Sequence, residues 1–197
     1  MVTRYTQGQA RSSLEEDALS IYTIPLTEMR VWDARGTILP AAAANDDMGI
    51  ITGAFGTDVA TLQSIDFKAG ATDEKCGFSF ALPVEYVSGQ TITLRLRAGM
   101  VTTISDQGAG GCTVDVECYE SDRDGAAGGG PTDLCSTAAQ NMNTLAHANK
   151  VFTITPTNVV AGDLLDFRLS FIGADTATGT AVIAEISQIE LLFDVKG

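Results

Sequence analysis

The stretch PTNVVAGDLLDFRLSF, from Pro156 to Phe171, repeats the pattern of an earlier stretch, PVEYVSGQTITLRLRA, from Pro83 to Ala98. Both contain a proline, then a valine two residues before a glycine, then an alternating apolar segment with an arginine, at a constant offset of 73 residues. The matched pairs are Pro83 and Pro156, Val87 and Val160, Gly89 and Gly162, Arg95 and Arg168, and Leu96 and Leu169. Each copy predicts a turn followed by a β-strand.

The alternation within each copy predicts which side chains face a core. Ile92, Leu94 and Leu96 share one face of the first strand, because strand side chains point to opposite sides in turn. Arg95 and Arg97 fall on the other face. Cross-strand pairing with Asp or Glu is their expected role, and anion binding is the alternative. The corresponding residues of the second copy are Leu165, Phe167 and Leu169 on the inner face and Arg168 on the outer face.

Each copy continues through a glycine-rich turn into a return strand, CTVDVECYE in the first and AVIAEISQIELLFDV in the second. The further predicted strands are MRVWDA, SIDFKA, CGFSFAL and KVFTITP. The strands are not separated by helices of useful length, which disfavours a parallel α/β fold. Two similar antiparallel halves predict an all-β fold, an antiparallel β-sandwich of jelly-roll type.

One or two short helices and an N-terminal arm are expected beside the sandwich. Ser13 followed by Glu16 forms a capping box in SSLEEDALS, and Thr137 followed by Gln140 starts a helical pattern in STAAQNMNTLAHANK. The first residues lack the apolar side chains of a core of their own. The expected division is an N-terminal arm with a short helix over residues 1–20 and a jelly-roll domain over residues 21–197.

The charge of the chain limits its partners. It has 197 residues, 45% of them apolar, with 12 Lys and Arg against 25 Asp and Glu, which gives a net charge of −13. A chain of this charge is repelled by phosphate backbones, so no nucleic-acid partner is expected. No apolar run approaches the ~18 residues of a membrane span, and the first residues lack the apolar segment of a signal peptide. We expect no membrane partner and synthesis in a cytoplasm, without secretion by the usual signal.

The cysteines are expected to be buried and unpaired. Cys112 and Cys118 share one face of a predicted strand, and Cys76 shares a face with Phe78 and Phe80. The four cysteines lack the short paired spacing of zinc ligands, and disulfides are unexpected in a reducing cytoplasm. No metal and no cofactor is therefore expected.

The chain also offers little for catalysis. The segment ESDRDG resembles the start of a calcium loop, but position twelve, where a bidentate Glu is needed, is Pro131. The residues at positions one, three, five and six are Glu120, Asp122, Asp124 and Gly125. His147 is the single histidine, and no serine lies in a G-x-S-x-G elbow. We expect a protein that is not an enzyme.

Six segments carry a resemblance to a known group of proteins. They are RVWDARGTILP, DDMGIITGAFGT, LPVEYVSGQTITLRLRAGM, VDVECYESDRDG, STAAQNMNTLAHANKVFTITP and AGDLLDFRLSF. Through them, from about Val31 to Gly197, the chain resembles the jelly-roll capsid decoration (cement) proteins of tailed bacteriophages. The resemblance implies a homotrimer on the outer surface of an icosahedral virion, bound to the major capsid protein, without catalytic residues.

The expected function is therefore structural, with many copies binding a repeating lattice. Arg4, Tyr5 and Arg11 of the N-terminal arm are the candidate contacts with the capsid, because the arm is the segment that is free to reach a neighbour. The alternative is a carbohydrate-binding or receptor-binding jelly-roll module, since lectins share this architecture. The aromatic fraction of 7% is low for a sugar-binding surface.

Overall fold

The computed structural model describes residues 18–52, 59–69, 72–104, 111–121, 132–175 and 180–196. Within these ranges the regular structure consists of ten strands and two single turns of 3-10 helix, at Leu26–Glu28 and Phe67–Ala69. The strands are Ala18–Thr23 (β1), Gly49–Ile51 (β2), Thr61–Gln63 (β3), Thr72–Ala81 (β4), Ile92–Met100 (β5), Cys112–Ser121 (β6), Gln140–Asn141 (β7), Ala148–Ile154 (β8), Leu164–Gly173 (β9) and Ala184–Val195 (β10).

The strands form two sheets that pack face to face. The six-stranded sheet has the order β2-β3-β10-β5-β8, and β1 pairs with β10 on the same side as β3. The four-stranded sheet has the order β4-β9-β6-β7. All pairings between these strands are antiparallel. The architecture is an antiparallel β-sandwich of jelly-roll type, as the sequence predicts.

The two sequence copies interlock in this sandwich. The offset of 73 residues carries β4, β5 and β6 of the first copy onto β8, β9 and β10 of the second. In the six-stranded sheet, β5 of the first copy lies between β8 and β10 of the second. In the four-stranded sheet, β9 of the second copy lies between β4 and β6 of the first. Each copy therefore supplies the central strand that joins the outer strands of the other.

The inner faces of the sheets form the core that the alternation predicts. The six predicted inward residues of β5 and β9 are all fully buried: Ile92, Leu94, Leu96, Leu165, Phe167 and Leu169. Phe78 of β4 stacks on Phe167, with ring centroids 4.7 Å apart. Cys76, Cys112 and Cys118 are buried as free thiols, which confirms the predicted burial. Burial raises the pKa of Cys112 to about 12 and of Cys135, which is partly exposed, to about 11.

The repeated valine-x-glycine motif forms the same turn in both copies. The N–H of Gln90 donates to the carbonyl of Val87 (3.1 Å), and the N–H of Asp163 donates to the carbonyl of Val160 (3.2 Å). The third residues of the two turns, Gly89 and Gly162, have φ angles of 84° and 93°. A residue with a side chain rarely adopts this conformation, which explains the glycine in both copies.

The predicted helix over residues 136–150 is wrong. This segment contains β7 and the start of β8, and polar side chains hold the backbone between them. The side chain of Gln140 donates to the carbonyl of Val151 (2.6 Å), and the side chain of Asn141 accepts the N–H of Asn143 (2.8 Å). Such bonds from side chain to backbone compete with helix formation.

No helix in the described ranges is long and apolar enough to span a membrane.

Three other predicted elements differ from the structure. In MRVWDA only Arg30 makes a bridge, and in SIDFKA the residues Phe67–Ala69 form a 3-10 turn. Arg30 bridges to Gly77 on β4. The N–H groups of Ser64 and Phe67 donate to the carbonyls of Ala184 and Val182. Partners distant in sequence therefore set both segments, which a short alternation cannot reveal. The predicted return strand AVIAEISQIELLFDV corresponds to β10, which begins only at Ala184 and has an irregularity between Ile186 and Gln188.

The last three residues of the N-terminal helix predicted over residues 12–20 form a strand instead. Ala18, Leu19 and Ser20 lie in β1, and the rest of that helix lies outside the described residues. Strand β1 begins three residues before the predicted boundary between the arm and the domain, and it continues to Thr23. Pairing with β10 therefore overrides the local helical signal at residues 18–20.

Candidate functional site

The predicted contact residues Arg4, Tyr5 and Arg11 lie outside the described residues. The structure does describe where the chain that follows them joins the sandwich. Strand β1 pairs with β10 from Ala18 opposite Val195 to Thr23 opposite Glu190. The arm therefore meets the body at the side of β10, and the surface around β1 is the candidate site.

Tyr22 anchors β1 to the core. Its ring stacks on Phe193, with centroids 5.0 Å apart and an interplanar angle of 9°, and meets Phe80 edge-on at 5.6 Å. The aromatic contacts join β1 to both sheets, since Phe193 belongs to β10 and Phe80 to β4. Aromatic pairs in these geometries are worth about 0.5–1.5 kcal/mol beyond their area of burial. The position of β1 is therefore well defined.

The outer face of β1 is apolar and exposed. Leu19 and Ile21 alternate with the inward Tyr22, and their exposed fractions are 64% and 53%. Leu192 of β10 lies directly opposite Ile21 and is half-buried. Contiguous exposed apolar side chains are characteristic of interaction surfaces, whereas single ones are ordinary. These three residues, Leu19, Ile21 and Leu192, form what we call the β1 patch.

In the four-stranded sheet, other segments cover β4 and the part of β6 that β7 leaves unpaired. On β4, Arg30 and Gly77 exchange two backbone hydrogen bonds (2.8 and 3.0 Å). On β6, the carboxylate of Asp133 accepts the N–H of Cys118 (2.9 Å), and the N–H of Leu134 donates to the carbonyl of the same cysteine (2.8 Å). Covered edges do not pair with another chain.

The far edges of the six-stranded sheet are covered in a similar way. On β8, the side chain of Gln140 donates to Val151, and the hydroxyl of Thr137 accepts the N–H of Thr153 (2.9 Å). On β2, the N–H of Ile50 donates to the carbonyl of Pro40 (2.8 Å). For β1, by contrast, β10 is the one paired strand within the described residues.

A cleft of about 410 Å³ opens between the two sheets at the end of β1. Thr23, Ile24 and Phe80 are among its lining residues. Two arginines also reach it, but each lies beside a carboxylate: Arg30 is 3.7 Å from Glu28, and Arg35 pairs with Asp166. The cleft therefore offers apolar walls and a charge-balanced rim.

Ion pairs join neighbouring strands on the outer faces of both sheets. Arg168 pairs with Glu117 on the neighbouring strand, and Arg95 on the other sheet pairs with Glu190 at 2.6 Å. Both ion pairs confirm the predicted cross-strand role of these arginines. Arg97 lies opposite Gln188 in the register.

Trp32 lies over the outer face of the four-stranded sheet and is half-buried. The strand predicted at MRVWDA does not form at this residue. Its indole N–H donates to Asp46 (3.0 Å). The charged groups of Lys75 and Arg168 lie 5.0 and 5.4 Å from the ring centroid. A sugar-binding tryptophan presents an open ring, whereas this ring is already in contact with two cations.

The remaining residues singled out in the sequence do not converge. His147 is half-buried rather than on a helix end, and its ring lies 3.7 Å from Glu185. Glu120 belongs to β6, while Asp122, Asp124, Gly125 and Pro131 lie outside the described residues. The structure places no group of three or more His, Cys, Asp or Glu side chains for a metal ion among the residues it describes.

Sequence reasoning missed the β1 patch. The signal was present in the alternation of LSIYT, with β-branched and aromatic residues ahead of Pro25. The capping box at Ser13 and Glu16 favoured a helix through the same residues. The exposure of one face of β1 depends on its pairing with β10, about 170 residues away along the chain, and local patterns cannot report it.

Comparisons with known proteins show no family for this chain. No protein-family model matches it, and no curated protein does. A chain in the structure of infectious bursal disease virus, Gx strain, has a TM-score of 0.38 and 12% identity, covering 91% of this chain and 32% of the viral one. This chain therefore spans about a third of the length of that viral chain.

Two further structures are similar over nearly their whole lengths. A CBM4 structure has a TM-score of 0.38 and 16% identity, covering 87% of this chain and 96% of that one. The Stig cyclase Fisc from Fischerella sp. TAU, in complex with (3Z)-3-(1-methyl-2-pyrrolidinylidene)-3H-indole, has a TM-score of 0.40 and 16% identity, covering 88% and 90%. At these values the likenesses carry no argument about function, and the jelly-roll assignment rests on the strand order.

Proposed function

We propose that the chain is a structural virion protein that decorates the outer surface of an icosahedral phage capsid. It binds the major capsid protein through many weak contacts and stabilises the shell. The observation that carries this proposal is the β1 patch, because two exposed apolar side chains, Leu19 and Ile21, follow directly after the arm. An adhesive strand beside an arm suits attachment to a neighbouring subunit.

The charge of the molecule supports an outer position. A net charge of −13 is repelled by packaged nucleic acid and is compatible with the solvent side of a shell. The proposed assembly is a homotrimer, since a closed three-fold ring gives each copy an equivalent position where capsid subunits meet. Light scattering should then give three times the 20.6 kDa of the single chain, and a monomer both alone and when released from particles would contradict the trimer.

The test compares shells with full-length protein, with protein lacking residues 1–17, and without protein. Cutting after residue 17 leaves β1 complete, whereas a cut at residue 20 would remove half of it. Shells of the encoding phage should package DNA without the protein but release it at lower temperature. The full-length protein should restore the release temperature, and the truncated one should restore it in part, since Arg4, Tyr5 and Arg11 are lost.

Controls separate this function from the carbohydrate-binding alternative. Circular dichroism of the truncated protein should match that of the full-length protein, because the sandwich is retained. Identical DNA-release temperatures for all three samples would overturn the decoration function. If the isolated chain then binds a glycan array, it is a lectin-like module.

A further inference from the structure

The backbone of β1 has one side that pairs with no described strand. The N–H of Ile24 donates to the carbonyl of Ile189 (2.9 Å), which fixes the phase of the antiparallel ladder. Hydrogen-bonded pairs alternate along such a ladder, so the backbone groups of Tyr22 and Ser20 also point to β10. The N–H and C=O groups of Leu19, Ile21 and Thr23 therefore point away from it.

Strand β1 carries none of the features that protect an exposed edge. Its sequence, ALSIYT, contains no charge, no proline and no glycine. By contrast, other segments bond to the outer sides of β2, β4, β6 and β8. An uncovered and uncharged edge is a template for an additional strand.

Both faces of an added strand would find apolar surface here. Side chains opposite Leu19 and Ile21 would lie on the outer face, beside the β1 patch. Side chains of the other parity would point inwards, and near Thr23 and Ile24 they would reach the cleft of about 410 Å³. The site thus combines backbone pairing with side-chain pockets, as in known cases of strand addition.

We propose that the outer edge of β1 receives an extended segment of the capsid protein as an added β-strand. This inference rests on the proposed function and names the chemistry of the contact. The segment has apolar side chains at alternate positions and basic residues at its ends. Basic ends are expected because the chain carries −13 overall, and Asp194 and Glu28 flank the edge.

A second copy of this chain fits the edge less well than a lattice does. A strand of six residues is only about 20 Å long. Pairing along so short a strand is too small a contact to bury the roughly 1,200–2,000 Å² of a stable interface in solution. On a lattice, many weak contacts combine, so one short strand per contact is sufficient.

The principal experiment compares two Ile-to-Lys variants for binding to shells that lack the protein. Ile21→Lys places a charge on the β1 edge. Ile172→Lys makes the same change at a residue that is 44% exposed on β9, a strand paired on both sides. Ile21→Lys should weaken binding about tenfold or more, as loss of a buried isoleucine implies. Ile172→Lys should bind within about twofold of the wild type.

Hydrogen exchange provides a readout that does not depend on the variants. The amides of Leu19, Ile21 and Thr23 should exchange rapidly in the free protein and slowly on shells. A synthetic peptide of alternating valine and threonine with a lysine at each end should protect the same amides. The same peptide with a central proline should not protect them, because proline lacks the N–H.

Each other outcome overturns a defined part of the inference. If Ile21→Lys binds shells as the wild type does, the strand-addition site is wrong while the decoration function stands. If the wild type ignores the shells but the peptide protects the edge, the capsid partner and the proposed function are wrong. If protection in the free protein rises with concentration, a second copy occupies the edge. If the β1 amides are protected in the free protein and this protection disappears on removal of residues 1–17, the chain covers its own edge.

Discussion

Among single residues, Glu74 is the least expected member of the core. It lies on β4 opposite Phe171 and is fully buried. Both carboxylate oxygens lie within hydrogen-bonding distance of the N–H of Ile65 (3.0 and 2.9 Å). Burial raises the pKa of Glu74 from 4.5 to about 7, although the hydrogen bond from Ile65 opposes the shift. The ionised form is therefore disfavoured in the folded state.

This carboxyl group predicts a fall in stability with rising pH. Below pH 4.5 Glu74 is neutral in both states, and above pH 7 it is ionised in both, at a cost to the folded one. Its contribution to the free energy of unfolding should decrease by about 3 kcal/mol between these limits. Glu74→Gln stays neutral, so at pH 8 it should be the more stable protein by a similar amount. Urea unfolding at pH 4.5 and pH 8 measures this, and parallel pH curves would contradict it.

At the scale of elements, the two valine-x-glycine turns invite a direct test. Gly89→Ala places a Cβ in open space, so its cost comes from the φ angle of 84° alone. We expect a loss of about 1–2 kcal/mol in the free energy of unfolding. Gly36→Ala is the control, because a Cβ there also meets nothing within 4 Å and no positive φ is involved. Equal effects of the two substitutions on chemical unfolding would show that the turn is not strained.

The elements also show how far the sequence predicts the fold. Long alternating strands such as Ile92–Met100 and Leu164–Gly173 follow from their own residues, since each has a fully apolar inner face. Segments that cross an edge do not, because their conformation is set by partners distant in sequence. For this reason the helix predicted over residues 136–150 is wrong, and residues 18–20 form a strand where the sequence predicts a helix. The candidate edge depends on which strands remain unpaired, a property of the assembled sheets alone.

For the whole molecule, the interlocked copies predict that neither half folds alone. Among the described strands, β4 and β6 are joined only through β9, which pairs with both of them. Strands β8 and β10 are joined in the same way through β5. Fragments 18–121 and 132–196 should each lack a cooperative thermal transition. Mixed in equal amounts, they should recover the β-sheet circular dichroism spectrum and a single transition. A cooperative transition of either fragment by itself would contradict the interlocking.

The same arrangement has a consequence for synthesis on the ribosome. Among the described strands β10 is the last to be synthesised, yet it joins β1 and β3 on one side to β5 on the other. Until residues 184–195 leave the exit tunnel, the larger sheet is in separate pieces and its apolar faces are open. Completion of the larger sheet therefore waits for translation to reach this strand. A chain that terminates before β10 can therefore complete neither the larger sheet nor the surface beside β1.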